Sequence, residues 1–327
     1  MSPIKGSPGP PGWPMVIGMV GRRLLALVIG LATVVALFVL VRRAGGSHVG
    51  TVISHNWAFL LGALAIAAAV QPLRASAWAT TLRQPIGFRA VFAASAVGSF
   101  LDTVLPGRLG EASKVGVLKV AAGRSYPGFS RAGGSLLCAH LLEMVAFAVV
   151  GAGAAIFLPL PLWARITCVV GLLLTAGGLV LAAALHRRIG ARLPRSVASF
   201  LAGAAAPRRV MLRAGAILLV TWVARWFSVL LCLHALDVHV GVGAALLYMV
   251  VTGLANTMPF LPGNIGLYQG AAIGALAMVG QAGAKAAAVS LLMPVMVSIA
   301  TAAAAAIALA FYGRRFVELS RAAFVRI

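Results

Sequence analysis

Long apolar runs alternate with short polar segments along most of this chain. A helix that crosses a hydrocarbon core about 30 Å thick needs roughly 20 residues. About six runs are that long, so the pattern predicts an all-α polytopic membrane protein with about six full spans. The runs are 24–41, the run that opens at Trp57, 131–158, 166–185, 214–236 and 286–312.

One short motif interrupts this pattern twice. The stretch LPGRLGE (105–111) returns 156 positions later as LPGNIGL (261–267). Proline removes an amide donor and glycine leaves the backbone free to turn, so a helix should stop at each copy. Each motif therefore predicts a re-entrant helical hairpin, over 90–121 and over 243–280. The expected arms are 90–105, 109–121, 243–260 and 264–280.

The same shift of 156 residues also relates the flanks of the two motifs. Trp57, which opens a span, corresponds to Arg213, and Phe129 corresponds to Lys285. Each half then consists of a span, a hairpin and a span, which is typical of inverted-topology repeats in transporters. The alternative is that Pro-Gly pairs are common helix breakers in a glycine-rich chain.

The predicted organisation is one membrane domain with short ends. It contains a disordered Pro/Gly-rich tail (1–20), a single transmembrane domain (21–315) with repeat A (about 57–158) and repeat B (about 213–312), and a basic cytoplasmic tail (316–327).

Composition agrees with a membrane location. Of 327 residues, 61% are apolar and only 10% are charged, and the mean hydropathy is +1.02. The net charge of +22 does not indicate nucleic acid, because the arginines lack the aromatic interleaving of single-strand binders. They lie in short segments between apolar runs, where the positive-inside rule explains them.

The positions of lysine and arginine predict the orientation of the chain. The arginine-rich loop 186–213 should be cytoplasmic, and the poorly charged connections 159–165 and 237–243 should lie outside. Basic segments at 74–89 and 119–131 flank the first hairpin. That hairpin should enter from the cytoplasm and the second from the opposite face. Both termini are expected in the cytoplasm, and the protein in the cell membrane.

Charged residues gather around the first motif. Asp102 and Glu111 are carboxylates in or beside an apolar segment, where a charge costs roughly 2.5–3.5 kcal/mol at a helix centre. Arg108 stands at a helix start, where a guanidinium and free amides suit a phosphate, with Lys114 nearby. The alternative is that Arg108 and Lys114 are positive-inside residues on a shallow loop, with Glu111 as a surface partner.

Two further charges lie deep in predicted spans. Glu143 and Arg225 have similar depth, so they can form an ion pair that either clamps the repeats or takes part in transport. His140 is either a proton relay partner of Glu143 or a packing residue. The second motif is polar but uncharged, and the side chains expected to orient a head group are Asn256, Asn264, Tyr268 and Gln269.

Catalytic and metal-binding signatures are missing from the sequence. It contains no HExxH, no GxSxG and no phosphate-binding loop. Cys138, Cys168 and Cys232 all fall in apolar spans without CxxC spacing, which indicates packing residues. We expect no cofactor, no metal and no enzymatic activity.

Both motifs resemble signatures of a known family. LPGRLGEASKVGVL resembles P-x-R-x-G-E-x-x-[RK], and PFLPGNIGLYQ resembles P-x-P-G-G-x-G-x-x-E, of the lysylphosphatidylglycerol synthase transmembrane-region family, also described as flippase-like. LLEM (141–144) is similar to the Glu-Arg element of that family. The resemblance covers roughly residues 20–315 and implies translocation of a lipid or lipid-linked intermediate. The residues it implicates are Pro106, Arg108, Gly110, Glu111, Glu143, Pro262, Gly263 and Gly266.

The chain departs from the family pattern at three positions. Met144 replaces the usual arginine, Asn264 replaces a glycine, and Gln269 stands where the family tends to have glutamate. A neutral Gln269 removes a titratable group from the second hairpin. No soluble transferase domain is recognisable in the sequence, so we do not expect this chain to make lysyl-lipid by itself.

The sequence thus predicts a lipid flippase. The expected substrate is an anionic or zwitterionic phospholipid or a polyprenyl phosphate. The expected partners are these membrane lipids and no nucleic acid, with a homo-oligomer or a lipid-synthesis enzyme as further candidates. The alternatives are a membrane-embedded enzyme acting on lipid phosphates and a non-transporting scaffold of a cell-envelope synthesis complex.

Overall fold

The described part of the chain is helical. The computed structural model describes residues 55–104, 109–157, 161–189, 192–257 and 266–325. No strand occurs within these ranges. The predicted all-α class is therefore confirmed.

A first block contains two long helices with two short ones between them. The short helices pack against each other side by side. The four are α1 (Trp57–Leu82), α2 (Phe88–Val104), α3 (Leu109–Ala122) and α4 (Phe129–Phe157).

Two helices follow this block. The long α5 (Leu162–Ile189) packs against α4, and its outward face is rich in exposed apolar side chains such as Leu173 and Leu174. The short α6 (Arg195–Ala204) also packs against α4. An exposed apolar face of this kind fits contact with lipid rather than with water.

The second block repeats the order of the first. A long helix is followed by two short helices, which pack against each other, and by another long helix. The four are α7 (Arg208–Ala235), α8 (Val242–Thr257), α9 (Leu267–Ala277) and α10 (Ala284–Val325).

Five helical stretches in the described residues are long and apolar enough to cross a membrane, so the chain is a multi-pass membrane protein. They coincide with five of the predicted spans. The remaining one, 24–41, lies outside the described residues, as does the tail 1–20. The five are Trp57–Leu82, Phe129–Gly153, Leu162–Ile189, Arg208–Ala235 and Ala284–Tyr312.

The short helices fall where the predicted hairpin arms lie. The first pair, α2 and α3, ends and begins on either side of the first Pro-Gly motif, and α8 and α9 do the same at the second. The turns themselves, 105–108 and 258–265, lie outside the described residues. Re-entry of the hairpins and their opposite orientation remain predictions.

The crossing of α1 and α7 joins the two blocks. Ser228 donates a hydrogen bond from Oγ to the carbonyl oxygen of Ala63 (2.9 Å). Small residues at such crossings let helix backbones approach closely. A Cβ placed on Gly62 would lie only 3.3 Å from Cδ1 of Leu231. The crossing therefore depends on the small side chains at positions 62 and 63.

The predicted basic segment 74–89 needs correction at its start. Helix α1 continues through Pro72 and Arg74 to Leu82, and the chain leaves it at Arg83, whose φ of 51° is left-handed. The sequence alone groups Arg74 with Arg83 and Arg89 in this segment. The helix continues because Arg74 finds an acidic partner inside the bundle.

The predicted loop 186–213 also contains more structure than expected. It includes α6, and its last residues already belong to α7. Helix α6 lies so close to α4 that a Cβ on Gly203 would overlap the carbonyl oxygen of Arg131. Arg83 donates a hydrogen bond to the carbonyl oxygen of Ala202 near the end of α6. Burial lowers the pKa of Arg83, and the nearby Arg131 guanidinium lowers it further.

Candidate functional site

A buried ion-pair network lies where α1, α4 and α7 meet. Glu143 on α4 accepts a hydrogen bond from Arg74 on α1, with 2.8 Å between Nη2 and Oε2. Its other oxygen, Oε1, lies 3.7 Å from Nη1 of Arg225 on α7. The Glu143 side chain is only 7% exposed. The ion pair expected between Glu143 and Arg225 is present, but the closer cation is Arg74.

Aromatic packing holds this network in place. Trp222 donates a hydrogen bond from Nε1 to the backbone carbonyl of Glu143 (3.0 Å). The Arg225 guanidinium lies 4.8 Å from the centre of the same ring, within cation–π distance. Phe147 packs on Trp222 with 4.6 Å between ring centres. Glu143 and Arg225 are therefore positioned by one indole ring.

A second group of charges joins α2 to α3. Lys114 Nζ lies 2.5 Å from Oε1 of Glu111, one turn away on the same helix. The backbone amide of Glu111 donates to Oδ1 of Asp102 on α2 (3.0 Å). The two helices approach closely here, because a Cβ on Gly110 would overlap the backbone nitrogen of Asp102. The structure thus brings together Asp102, Gly110, Glu111 and Lys114, as the sequence predicts.

The two groups are neighbours in space. The Arg74 guanidinium interacts electrostatically with Glu111 and Asp102 as well as with Glu143. His140, one turn before Glu143, interacts with the carboxylates of both groups. We call the combined set the central polar cluster, and it holds three cations and three carboxylates. Its members are Arg74, Asp102, Glu111, Lys114, Glu143 and Arg225.

An unsatisfied acceptor lies near this cluster. Gln71 stands one turn before Arg74 on α1 and is 3% exposed. Its Oε1 has no hydrogen-bond partner. A buried amide oxygen without a partner is costly, so it is a ready acceptor for a bound hydroxyl or ammonium group.

The second hairpin contributes neutral polar groups. The hydroxyls of Tyr248 on α8 and Tyr268 on α9 lie 3.1 Å apart, and Tyr268 interacts electrostatically with Arg225. Gln269 accepts a hydrogen bond from the backbone amide of Gly266 (2.6 Å) and so caps the start of α9. Gly266 suits this start because its φ of 89° is left-handed.

Asn256 lies exposed near the end of α8. The remaining predicted site residues are outside the described residues, so their placement stays a prediction. They are Pro106, Arg108, Pro262, Gly263 and Asn264.

Sequence reasoning missed Arg74, the closest partner of Glu143. It assigned this arginine to a cytoplasmic segment because Arg74 groups with Arg83 and Arg89 in a basic stretch. A weak signal is available in hindsight. Arg74 precedes the end of α1 by more than two turns, and its neighbours Ala75, Ala77 and Trp78 are buried. These neighbours indicate that one face of the helix is buried around Arg74.

The cluster has the chemistry of an anion-binding site. The cysteines 138, 168 and 232 are buried and free, in agreement with packing roles. Within the described ranges no group of three or more His, Cys, Asp or Glu residues is placed to hold a metal. Guanidinium and ammonium groups that share carboxylates can exchange those carboxylates for a phosphate, since both anions accept paired N–H donors.

Comparison with known proteins gives one match. The family model described as "Lysylphosphatidylglycerol synthase TM region" matches residues 23–317, nearly the whole chain. No curated protein and no solved structure matches.

Proposed function

The chain belongs to the lysylphosphatidylglycerol synthase TM region family, and from this premise we propose that it is a lipid flippase. It moves a phospholipid or a lipid-linked phosphate intermediate between the leaflets of the cell membrane. The observation that carries the proposal is the central polar cluster, which lies among apolar membrane helices and gathers three cations and three carboxylates, of which Glu143 and Glu111 form the ion pairs.

Buried charges of this kind need a reason. An ion pair in a low-dielectric interior is weak support for stability, because desolvation offsets most of the attraction between the charges. Intramembrane ionisable residues therefore suggest a substrate pathway. A phosphate group that enters the cluster can take the place of Glu143 between Arg74 and Arg225. When the substrate leaves, the carboxylate of Glu143 returns between the two arginines and keeps the site neutral.

The first hairpin supplies the initial head-group contact in this proposal. Arg108 binds the phosphate, and Lys114 is the reserve cation. Lys114 is held by Glu111 at 2.5 Å, so it is free for a phosphate only when that pair opens. Glu111 and Asp102 orient the bound head group or neutralise the positive charge of the site. The tyrosine pair of the second hairpin offers hydroxyls to the rest of the head group.

Alternating access follows from the two matching blocks. Helix α4 packs against α7 and α8, while α10 packs against α1 and α2. This reciprocal packing supports an inverted repeat, in which one block rocks against the other around a central site. The α1–α7 crossing is then the axis about which the blocks move.

Transbilayer movement in proteoliposomes tests the proposal. The assay follows labelled phospholipids and a labelled polyprenyl phosphate with wild-type protein, Arg108→Ala and Glu111→Gln. We expect each substitution to reduce the rate about tenfold or more, since loss of about 1.4 kcal/mol of stabilisation changes a rate tenfold. Lipid mass should stay unchanged.

Asp237→Asn is the matched control. Asp237 is a carboxylate paired with Lys285 (3.0 Å) and His239 at an exposed position away from the cluster. This variant should transport at the wild-type rate. A change in lipid mass would instead indicate an enzyme. Absence of movement for every lipid, with folded protein, would indicate a scaffold.

A further inference from the structure

An open surface cavity, separate from the central polar cluster, lies between α1 and α7. Its volume is about 530 Å³. Arg209 and Arg213 line it from the first turns of α7. They are four residues apart, so their side chains share one face of the helix. The cavity therefore presents two guanidinium groups to a single ligand.

These arginines have no acidic partner in the described part of the chain. Arg209 lies in the first turn of α7, where the helix dipole disfavours a cation and favours an anion, and Arg213 lies one turn further along. Pro207 stands at the N-cap and provides no side-chain hydrogen bond to the first turn. Both arginine side chains are exposed, so two guanidinium groups beside a helix start are available to one anion.

The opposite wall of the cavity carries hydroxyl groups. Ser76 and Thr80 line it from the last turns of α1. Each donates its hydroxyl proton to a backbone carbonyl one turn earlier, at 2.8 Å. Their oxygens therefore remain as acceptors, suited to a hydroxyl group attached to the anion.

The rest of the lining is apolar. It consists of Ala79 from α1, Val210 and Ile217 from α7, and Phe88 from the start of α2. Phe88 is 45% exposed. A free anion gains nothing from such a wall, whereas acyl chains bury apolar surface against it.

We propose that this cavity binds one anionic phospholipid, with the phosphate between Arg209 and Arg213 and the acyl chains along Ile217 and Phe88. Its position at the end of α1 and the start of α7 is the predicted cytoplasmic side. The site is thus a docking place for a lipid of that leaflet, and it is distinct from the central polar cluster. It does not depend on whether the protein transports lipid.

Native mass spectrometry of the full chain in non-ionic detergent tests the site by counting bound lipids. The protein is titrated with phosphatidic acid, with phosphatidylcholine of the same acyl chains, and with inorganic phosphate as competitor. We expect one phosphatidic acid molecule to bind tightly and phosphatidylcholine to bind more weakly. The double variant Arg209→Gln, Arg213→Gln should bind phosphatidic acid at least about 10-fold more weakly.

Two further variants separate the sources of binding. Arg187→Gln with Arg188→Gln removes the same charge from the exposed end of α5 and should leave binding unchanged. Ala79→Leu narrows the apolar part without changing charge and should weaken phosphatidic acid binding. Thermal unfolding confirms that each variant is folded.

Two outcomes overturn the proposal. Equal weakening by both arginine pairs would mean that the lipid responds to overall charge and not to a site. Competition by inorganic phosphate at matched concentration, with no effect of Ala79→Leu, would mean that the cavity takes a free anion. Binding measured in this way is independent of transport, so its failure leaves the flippase proposal untouched.

Discussion

Glu143 is the carboxylate that neutralises two arginines in the interior. Replacing it by glutamine would leave Arg74 and Arg225 facing each other without their nearest counter-ion. Removing one partner of a buried pair typically costs about 3–5 kcal/mol. Partial exposure of the Arg74 and Arg225 side chains, 19% and 31%, places our expectation at the lower end, about 3 kcal/mol. Unfolding of Glu143→Gln in detergent micelles measures this loss.

The control at the residue scale is again Asp237→Asn. Its carboxylate is about half exposed, and exposed pairs contribute about 0–1 kcal/mol. Each substitution removes one negative charge, so the difference between their losses in free energy of unfolding reports the effect of burial. If Glu143→Gln unfolded no more easily than Asp237→Asn, the arginines would not depend on Glu143, and the cluster would have another counter-ion.

Acidic site residues are easier to predict from this sequence than basic ones. The chain has five Asp and Glu against 27 Lys and Arg, so an acid in an apolar run stands out and led directly to Glu111 and Glu143. An arginine does not, because the positive-inside rule explains most of them. Arg74 is set apart from Arg83 by its acidic partner on α4, and no local pattern contains that contact.

At the scale of elements, the packing of α2 on α3 determines how the charges of the first hairpin meet. A methyl group added at Gly110 would overlap the Asp102 nitrogen and the Gly98 carbonyl oxygen. We expect Gly110→Ala to force the helices apart and to cost about 1–3 kcal/mol, the usual range for overpacking. The backbone amide of Glu111 would then lose its hydrogen bond to Asp102. Thermal unfolding measures the cost, and the proteoliposome assay measures the functional effect.

Gly116→Ala is the matched control for this prediction. Gly116 lies on the same helix, and nothing lies within 4 Å of a Cβ placed there. Alanine favours a helix over glycine by up to about 1 kcal/mol, so this variant should be neutral or more stable. Equal behaviour of the two variants would show that the close approach at Gly110 has no role.

Helix ends were predictable where a local sequence motif stops the helix. The Pro-Gly pairs ended the arms, and α2 and α3 begin and end within two residues of their expected limits. Helix α6 was missed because its arginine-rich surroundings resemble a loop. Its position depends on contact with α4, where Gly134 and Gly203 let the backbones meet. That contact joins residues 69 positions apart, so no window of sequence contains it.

At the scale of the whole molecule, the two blocks match in order but differ in chemistry. The first hairpin carries Asp102, Glu111 and Lys114, whereas the second carries the hydroxyls of Tyr248 and Tyr268. Charge is therefore concentrated in the first hairpin, and neutral hydrogen bonding in the described part of the second. A substrate between them would meet ionic contacts from one face and hydroxyls from the other, which fits an anionic group attached to a polar head.

This division has a functional meaning only if the hairpins enter from opposite faces. Ser125 follows the first hairpin and Ala282 follows the second, and both are exposed. We expect Ser125→Cys to react with a membrane-impermeant maleimide only from the cytoplasmic side, and Ala282→Cys only from the outside, because short basic loops stay inside. Labelling of intact and inverted vesicles measures both.

The wild-type protein is the control for labelling, since Cys138, Cys168 and Cys232 are buried and should not react. Labelling of both new cysteines from one side would contradict opposed hairpins, and the match over 156 residues would then reflect an ordinary duplication. Labelling of the two cysteines from opposite sides would mean that the two hairpins enter the membrane from opposite faces. The central polar cluster would then lie where those paths meet, as alternating access requires.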